Sequence, residues 1–218
     1  MSSIRVHLIR HGEVENPNGV LYGRLDGFGL SESGQEMAKL AAEHLQTHGA
    51  KITRIIASPL QRTRESAAPL AAAFSLPVEE DIRLIEPWNR FEGQKMNAST
   101  LIKPKYGRYL FAPWLPSWGE HYDDIFDRML AVISEAIDTA ESSGGGDIAL
   151  VSHQLPIWMV RRALANKPLV HNPGKRELAL SSVTTVGRQS AGNQGLVELG
   201  YRSPAEHMIN QSKDKGAV

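Results

Sequence analysis

The segment Ile4-Arg-Val-His-Leu-Ile-Arg10-His11-Gly12-Glu13 restricts this chain more than any other stretch. Ile4, Val6, Leu8 and Ile9 are β-favouring and closely spaced, the pattern of a strand buried inside a sheet. Charge then arrives abruptly at Arg10 and His11, where the strand must end. In open α/β sheets, ligands bind just beyond the carboxyl ends of the strands. An arginine and a histidine there predict an anion site that contains a nucleophile. Gly12 permits a sharp turn and a close backbone approach to a ligand. An Arg-His-Gly tripeptide alone is also what an ordinary polar turn looks like. Recurrence of arginine and histidine at equivalent places later in the chain is what gives it weight.

The bulk properties narrow the partners. A chain of 218 residues suffices for one sizeable α/β domain or two small ones. The formal net charge is +0, which gives no general surface for nucleic acid or membrane, so an anion must be held by a local cluster. With no cysteine, disulfides, thiolate chemistry and cysteine zinc sites are excluded. The first residues lack the basic, apolar and cleavage regions of a signal peptide, and no apolar run reaches membrane-spanning length. The expectation is a cytoplasmic protein with one domain over residues 1–204 and a loosely held polar tail over 205–218.

Further elements follow in order. Residues 14–29 are rich in Gly, Asn and Pro and read as a long loop, a natural ligand wall. Ser33-x-x-Glu36 fits a capping box for a helix whose stripe is Met37, Leu40, Ala41, His44, Leu45 and His48. His44 and His48 have metal-compatible spacing, but without a third ligand they read as the edge of a core-facing stripe, and no metal is expected. Thr53 to Ala57 is a second strand, and Pro59 suits the start of the next helix, which carries Arg62 near its beginning. Val78 and Leu84-Ile85-Glu86 begin two further short strands, with Pro87 stopping any helix. Residues 87–118 are irregular, aromatic and basic, as expected of an inserted lid or substrate wall. An amphipathic helix over 120–142 leads to the apolar strand 147–152. That strand also ends in a histidine, His153, before a helix over 155–165. Two late strands, 178–186 and 196–201, complete the pattern.

If these strands neighbour one another in one sheet, Arg10, His11, Arg62 and His153 converge. Two guanidiniums and two imidazoles around one small dianion suit a phosphate, whose oxygens match the guanidinium fork. A neutral imidazole nitrogen can attack phosphorus, and surrounding donors stabilise the transferring group. The leaving alkoxide then needs a proton from a carboxylic acid held protonated. Glu86 is the best candidate, while Glu13 suits orientation better.

At these residues the sequence resembles the histidine phosphatase superfamily, in its phosphoglycerate-mutase-like branch. The opening motif of that family, Arg-His-Gly-Glu, is met by Arg10 to Glu13. Its Leu-Ser/Thr-x-x-Gly-x-x-x-Ala helix start is met from Leu30 to Ala38, and its Ser-x-Leu-x-Arg motif by Ser58 to Arg62. The acid-bearing segment is met by Leu84-Ile-Glu86 with Glu92-Gly93, the next long helix by Gly119-Glu120, and the closing motif by Val151-Ser152-His153. These matches run in order from Ile4 to Ala165.

The resemblance implies a three-layer αβα sandwich with a mostly parallel central sheet. It also implies His11 as the phosphorylated nucleophile, Arg10, Arg62 and His153 as phosphoryl ligands, and Glu86 as general acid. No metal and no cofactor are implied. The rim departs from the family pattern: Asn16-Pro17 replaces a Trp-Asn pair, Tyr22-Gly23 replaces Gln-Gly, and Gln154 stands where Gly is usual. Asn16, Tyr22, Gly23 and Gln154 are therefore the expected substrate-side residues. The mutases of this branch carry Glu-Arg-His-Tyr-Gly at the acid position, where this chain has Glu86-Pro-Trp-Asn-Arg. Hydrolysis of a small phosphorylated metabolite is thus favoured over a phosphoglycerate-type mutase, and both over a non-catalytic phospho-ligand-binding module. An oligomer is possible.

Overall fold

The computed structural model describes residues 4–95, 119–188 and 195–209. Six strands form one sheet in the order β3-β2-β4-β1-β5-β6. They are β1 (Arg5–Arg10), β2 (Ile52–Ala57), β3 (Val78–Glu80), β4 (Asp147–Ser152), β5 (Val183–Arg188) and β6 (Leu196–Arg202). β1, β2, β3 and β4 pair in parallel, and β5 runs antiparallel to both β1 and β6. The expected mostly parallel sheet is therefore present.

Side-chain alternation divides the core between the two faces of the sheet. Val6, Leu8, Ile148 and Leu150 pack against α3 (Tyr122–Ser142) and α4 (Gln154–Leu164), on Met129, Ile133, Ile137, Ile157 and Val160. Ile9, Ile55, Ala149 and Val151 face the other way, onto Ala41, Leu45, Ala67 and Leu70 of α1 (Glu32–Thr47) and α2 (Gln61–Phe74). Helices on both faces make the three layers. No described helix is long and apolar enough to cross a membrane.

Several local expectations differ from what forms. The cap of α1 is Ser31, whose side chain accepts from the Gly34 amide, rather than Ser33. Ser31 wins because its hydroxyl is also tied to Glu13 Oε1 at 2.8 Å, a partner distant in sequence. The expected strand at 84–86 does not form; Leu84 instead ends a 3-10 turn, Ile82–Leu84. Asp81 caps that turn by accepting from the Arg83 amide at 2.8 Å, and its carboxylate also pairs with the Arg83 guanidinium. A local side-chain bond to the backbone here outcompetes strand pairing. The fifth strand starts at Val183, later than expected, after a stretch in which Ser181 adopts a left-handed φ of 51°.

Beyond Pro204, Ala205 is fully buried against Met37 and Leu180, and a short α5 (Glu206–Ile209) follows. The rest of the expected loose tail lies outside the described residues. So does most of the expected lid, residues 96–118. The flanks of that segment are described: Asn89 bridges Gly119, while Leu21 exchanges backbone bonds with Gln94 and Gly93 at 2.9 and 2.8 Å. The long loop after β1 is thereby stitched to the segment that carries Glu86.

Candidate active site

Register aligns the three central strand ends. Arg10 pairs with Ser152, and Ala57 with Val151, so β1, β2 and β4 finish side by side. His11 N donates to Ser152 O at 3.1 Å, and Ser58 N to Val151 O at 2.9 Å. His11, Ser58 and His153 must then be neighbours. The His11 and His153 rings stand 5.2 Å apart, centre to centre.

The turn after His11 is as tight as Gly12 suggested, for a tertiary reason. A Cβ on Gly12 would sit 2.3 Å from Gly34 O, and one on Gly34 would sit 2.0 Å from Glu13 O. Two glycines let α1 press directly on this turn. Ser66 Oγ accepts from Gly12 N at 3.1 Å and donates back to Arg62 O at 2.7 Å, tying the turn to α2.

The His11 ring is oriented by its own backbone. Its Nδ1 lies 2.8 Å from Gly12 O, and a carbonyl can only accept. Nδ1 therefore carries the proton and Nε2 the lone pair. Burial, then the Arg62 and Arg10 charges, push the His11 pKa well below the ordinary 6.5, and the Gly12 bond only partly opposes this. His153 is depressed in the same way, by burial first and then by Arg62 and His11. Near neutral pH both rings are therefore neutral.

The four expected phosphoryl-site residues are each at most 2% exposed. Arg10 Nη1 donates to Leu178 O at 2.5 Å, which aims it from the sheet centre. Arg62 Nη2 donates to Gly23 O at 2.7 Å, and its guanidinium lies 4.7 Å from the centre of the Tyr22 ring. His153 Nε2 is 2.8 Å from Ser58 Oγ. Among the described residues, Arg62 Nε and His153 Nδ1 are buried with no hydrogen-bond partner. Like charges crowd here with donors unspent, an arrangement that folding alone disfavours and a bound anion relieves.

Glu86 joins this cluster. Its Oε2 is 3.8 Å from His153 Nδ1, and its side chain is 20% exposed. Burial raises its pKa above the usual carboxylate value, against the opposing pull of Arg62, Arg176, Arg128 and Arg10. Its backbone is held by residues that the sequence did not single out. Arg24 Nε donates to Glu86 O at 2.6 Å, and Arg128 donates to Arg83 O. Glu120 joins the two arginines, 3.2 Å from Arg24 and 2.7 Å from Arg128. Only Gly119-Glu120 left a trace in the sequence, as a helix opening without a role.

The rim residues divide. Tyr22 is buried, 6.5 Å from the His11 ring and stacked on Phe28 at 5.4 Å. Gly23 has a φ of 41°, and a Cβ there would meet the Glu92 carboxylate at 2.2 Å. Glu92 itself accepts from the amides of Arg24 and Asn89 at 3.1 and 3.0 Å, so it braces the loop. Asn16 Nδ2 and Oδ1 bond Val20 O and N at 2.8 and 3.2 Å and close a turn. Gln154 Oε1 is 3.5 Å from Arg176 Nη1. Glu13 orients Ser31 rather than His11. Among the described residues, no group of three or more His, Asp or Glu side chains is placed to hold a metal ion.

The family model of the histidine phosphatase superfamily (branch 1) matches residues 6–198. The chain belongs to this superfamily. An uncharacterized Mycobacterium tuberculosis protein, Rv0525, is 44% identical over 204 residues, 92% of this chain and 96% of that one. A glucosyl-3-phosphoglycerate phosphatase of Mycolicibacterium vanbaalenii is 31% identical, with 78% of this chain and 77% of that one covered. Bacillus stearothermophilus YhfR shares the fold with a TM-score of 0.77 at 23% identity, over 94% of this chain and 100% of that one. In this histidine phosphatase domain, the family motifs coincide with the strand-end cluster.

Proposed function

We propose that this protein is a phosphomonoester hydrolase acting on a small phosphorylated metabolite through a phosphohistidine on His11. The observation that carries the reading is the Nδ1 bond of His11 to Gly12 O, which leaves a neutral ring with its Nε2 lone pair among buried cations. Membership in the superfamily and the names of phosphatase relatives support the same reaction class.

In the first step the Nε2 lone pair attacks phosphorus and the ester P–O bond breaks. Arg10, Arg62 and His153 hold the transferring oxygens. Glu86, whose pKa burial raises, acts in its protonated form and gives that proton to the leaving alkoxide. In the second step the Glu86 carboxylate takes a proton from water as that water attacks phosphorus. The P–N bond breaks, inorganic phosphate leaves, and Glu86 is protonated again. The balance is ester plus water giving alcohol plus phosphate, with no metal required.

The test is turnover of p-nitrophenyl phosphate with trapping of the enzyme by denaturation in base. An acid-labile, base-stable phosphoenzyme lost in His11→Ala is expected, with turnover unchanged by chelators. Tight vanadate binding without turnover at any pH would instead mark a binding module. Interconversion of 3- and 2-phosphoglycerate after priming with a bisphosphate would mark a mutase.

A further inference from the structure

Near neutral pH the two buried imidazoles of the cluster are uncharged, so each ring holds one N–H and one lone pair. Which nitrogen has the proton decides what the ring can do. For His11 the Gly12 carbonyl makes the choice, and the free edge is a lone pair. For His153 the choice falls to a hydroxyl. Its Nε2 lies 2.8 Å from Ser58 Oγ, and its Nδ1 is buried with no hydrogen-bond partner among the described residues. Ser58 and His153 are both 0% exposed.

The backbone fixes Ser58 first. Its amide donates to Val151 O at 2.9 Å, and its carbonyl accepts from Thr63 Oγ1 at 2.8 Å, so it is held between the end of β4 and the first turn of α2. Among the described residues, its hydroxyl oxygen meets the Leu60 amide at 3.5 Å and His153 Nε2. The amide can only donate, so it uses an Oγ lone pair. Two proton arrangements remain. With the proton on Nε2, the Ser58 O–H has no acceptor and the His153 Nδ1 lone pair has no donor. With Ser58 donating to Nε2, the proton sits on Nδ1, and that N–H is the one group left over. The second arrangement strands fewer buried polar groups and is favoured.

We infer that Ser58 is a positioning residue: it donates to His153 Nε2 and thereby makes Nδ1–H the edge that His153 presents to the phosphoryl group. The two imidazoles then share one tautomer and present opposite edges. His11 offers the lone pair that attacks, and His153 offers a donor to the charge that moves. Glu86 sharpens the consequence, because its Oε2 is 3.8 Å from His153 Nδ1. A bare Nδ1 there would repel phosphoryl oxygens and compete with the leaving alkoxide for the proton of the acid. A protonated Nδ1 does neither and donates to the transferring group instead. This deepens the hydrolase reading and rests on the place of His153 in it.

Nitrogen-15 labelling of the histidines, with long-range correlation through the ring C–H protons, reads this tautomer directly. The His153 signals are assigned by their loss in His153→Asn. The native protein should show a protonated Nδ1 and a bare Nε2, both free and with orthovanadate bound; a proton on Nε2 overturns the inference. In Ser58→Ala the Nε2–H form should appear, and survival of the native pattern there overturns it too. The same variant should lower kcat on p-nitrophenyl phosphate about 10- to 100-fold with KM changed less than about threefold, a smaller loss than removal of a whole oxyanion donor. His153→Asn keeps an N–H near the Nδ1 position and has no tautomer to set. In that background Ser58→Ala should change neither kcat nor vanadate affinity by more than about twofold. A packing role for Ser58 would instead lower both equally in the two backgrounds, and that result overturns the inference. The native spectrum stays decisive if Ser58→Ala does not fold. It also needs no turnover, so an inactive protein with the expected tautomer would fail the hydrolase reading and leave this one standing.

Discussion

The two ends of β1 handle buried charge in opposite ways. At its start, Asp147 accepts Arg5 Nε and Nη2 at 3.0 and 2.5 Å and the Lys51 amide at 2.9 Å, with His7 Nε2 at 3.9 Å. Burial alone would raise the Asp147 pKa, yet the nearby His7 and the bonds from Arg5 and the Lys51 amide bring it well below the ordinary value. At the far end, Arg10, Arg62, His11 and His153 are packed together, and two of their nitrogens have no partner among the described residues. The same strand thus joins a carboxylate whose partners the fold supplies to a cationic cluster that, in the proposed mechanism, a phosphoryl group completes. Asp147 ties its end of the sheet together with bonds already made, whereas Arg62 Nε at the other end is left over for the proposed substrate.

Substitutions at the two ends should therefore separate activity from stability. His11→Ala is expected to lower turnover on the order of ten-thousandfold or more while the melting curve stays cooperative. Full activity in that variant would sink the mechanism. Glu86→Gln should slow alkyl phosphates by about 100- to 10,000-fold and p-nitrophenyl phosphate far less, because a good leaving group needs no proton. Equal losses on both would remove Glu86 from the acid role. At the opposite end, Asp147→Ala should cost about 2–3 kcal/mol in a urea titration, since the Lys51 amide and the Arg5 guanidinium lose their acceptor. The Arg5 side chain is 38% exposed and can turn to water, which keeps this below the full penalty for a broken buried pair. Its kcat should stay within about twofold of the native value; a large loss would mean that the two ends are coupled.

The smallest effect concerns pH. The folded pKa values of His11 and His153 lie below 6.5. Below that value the unfolded chain takes up protons that the folded chain refuses, so stability falls as pH drops through it. The Asp147 contribution has the same sign but goes later, as pH falls below its unfolded value of about 3.9. Saturating vanadate should counteract the first loss by supplying the anion, and Arg62→Ala should weaken that rescue. For turnover, neutral His11 should keep kcat/KM on p-nitrophenyl phosphate level to below pH 6.5. An acid limb centred at 6.5 would mean that the ring is not desolvated as described.

Local pattern carried much of this site. An apolar run that stops at Arg10-His11 and another that stops at His153 are visible without coordinates, because period-two burial and strand ends are properties of neighbouring residues. Where two local signals competed, the pattern misled. Ser33 and Ser31 both suit a helix cap, and a bond to Glu13 from an earlier loop decided for Ser31. Leu84 looked like the start of a strand, and the Asp81–Arg83 contact drew it into a 3-10 turn instead.

The sequence by itself determined which strands are buried, where they end, and which imidazoles and guanidiniums stand at those ends. Chain neighbours and residue chemistry suffice for that. Only the tertiary structure decided that Ser58 holds His153 and that Arg24 and Arg128 share Glu120 behind Glu86. These contacts join residues far apart along the chain, and an arginine in a loop looks the same in sequence whether it meets water, a carboxylate or a substrate. Packing is what removes the water and makes the difference.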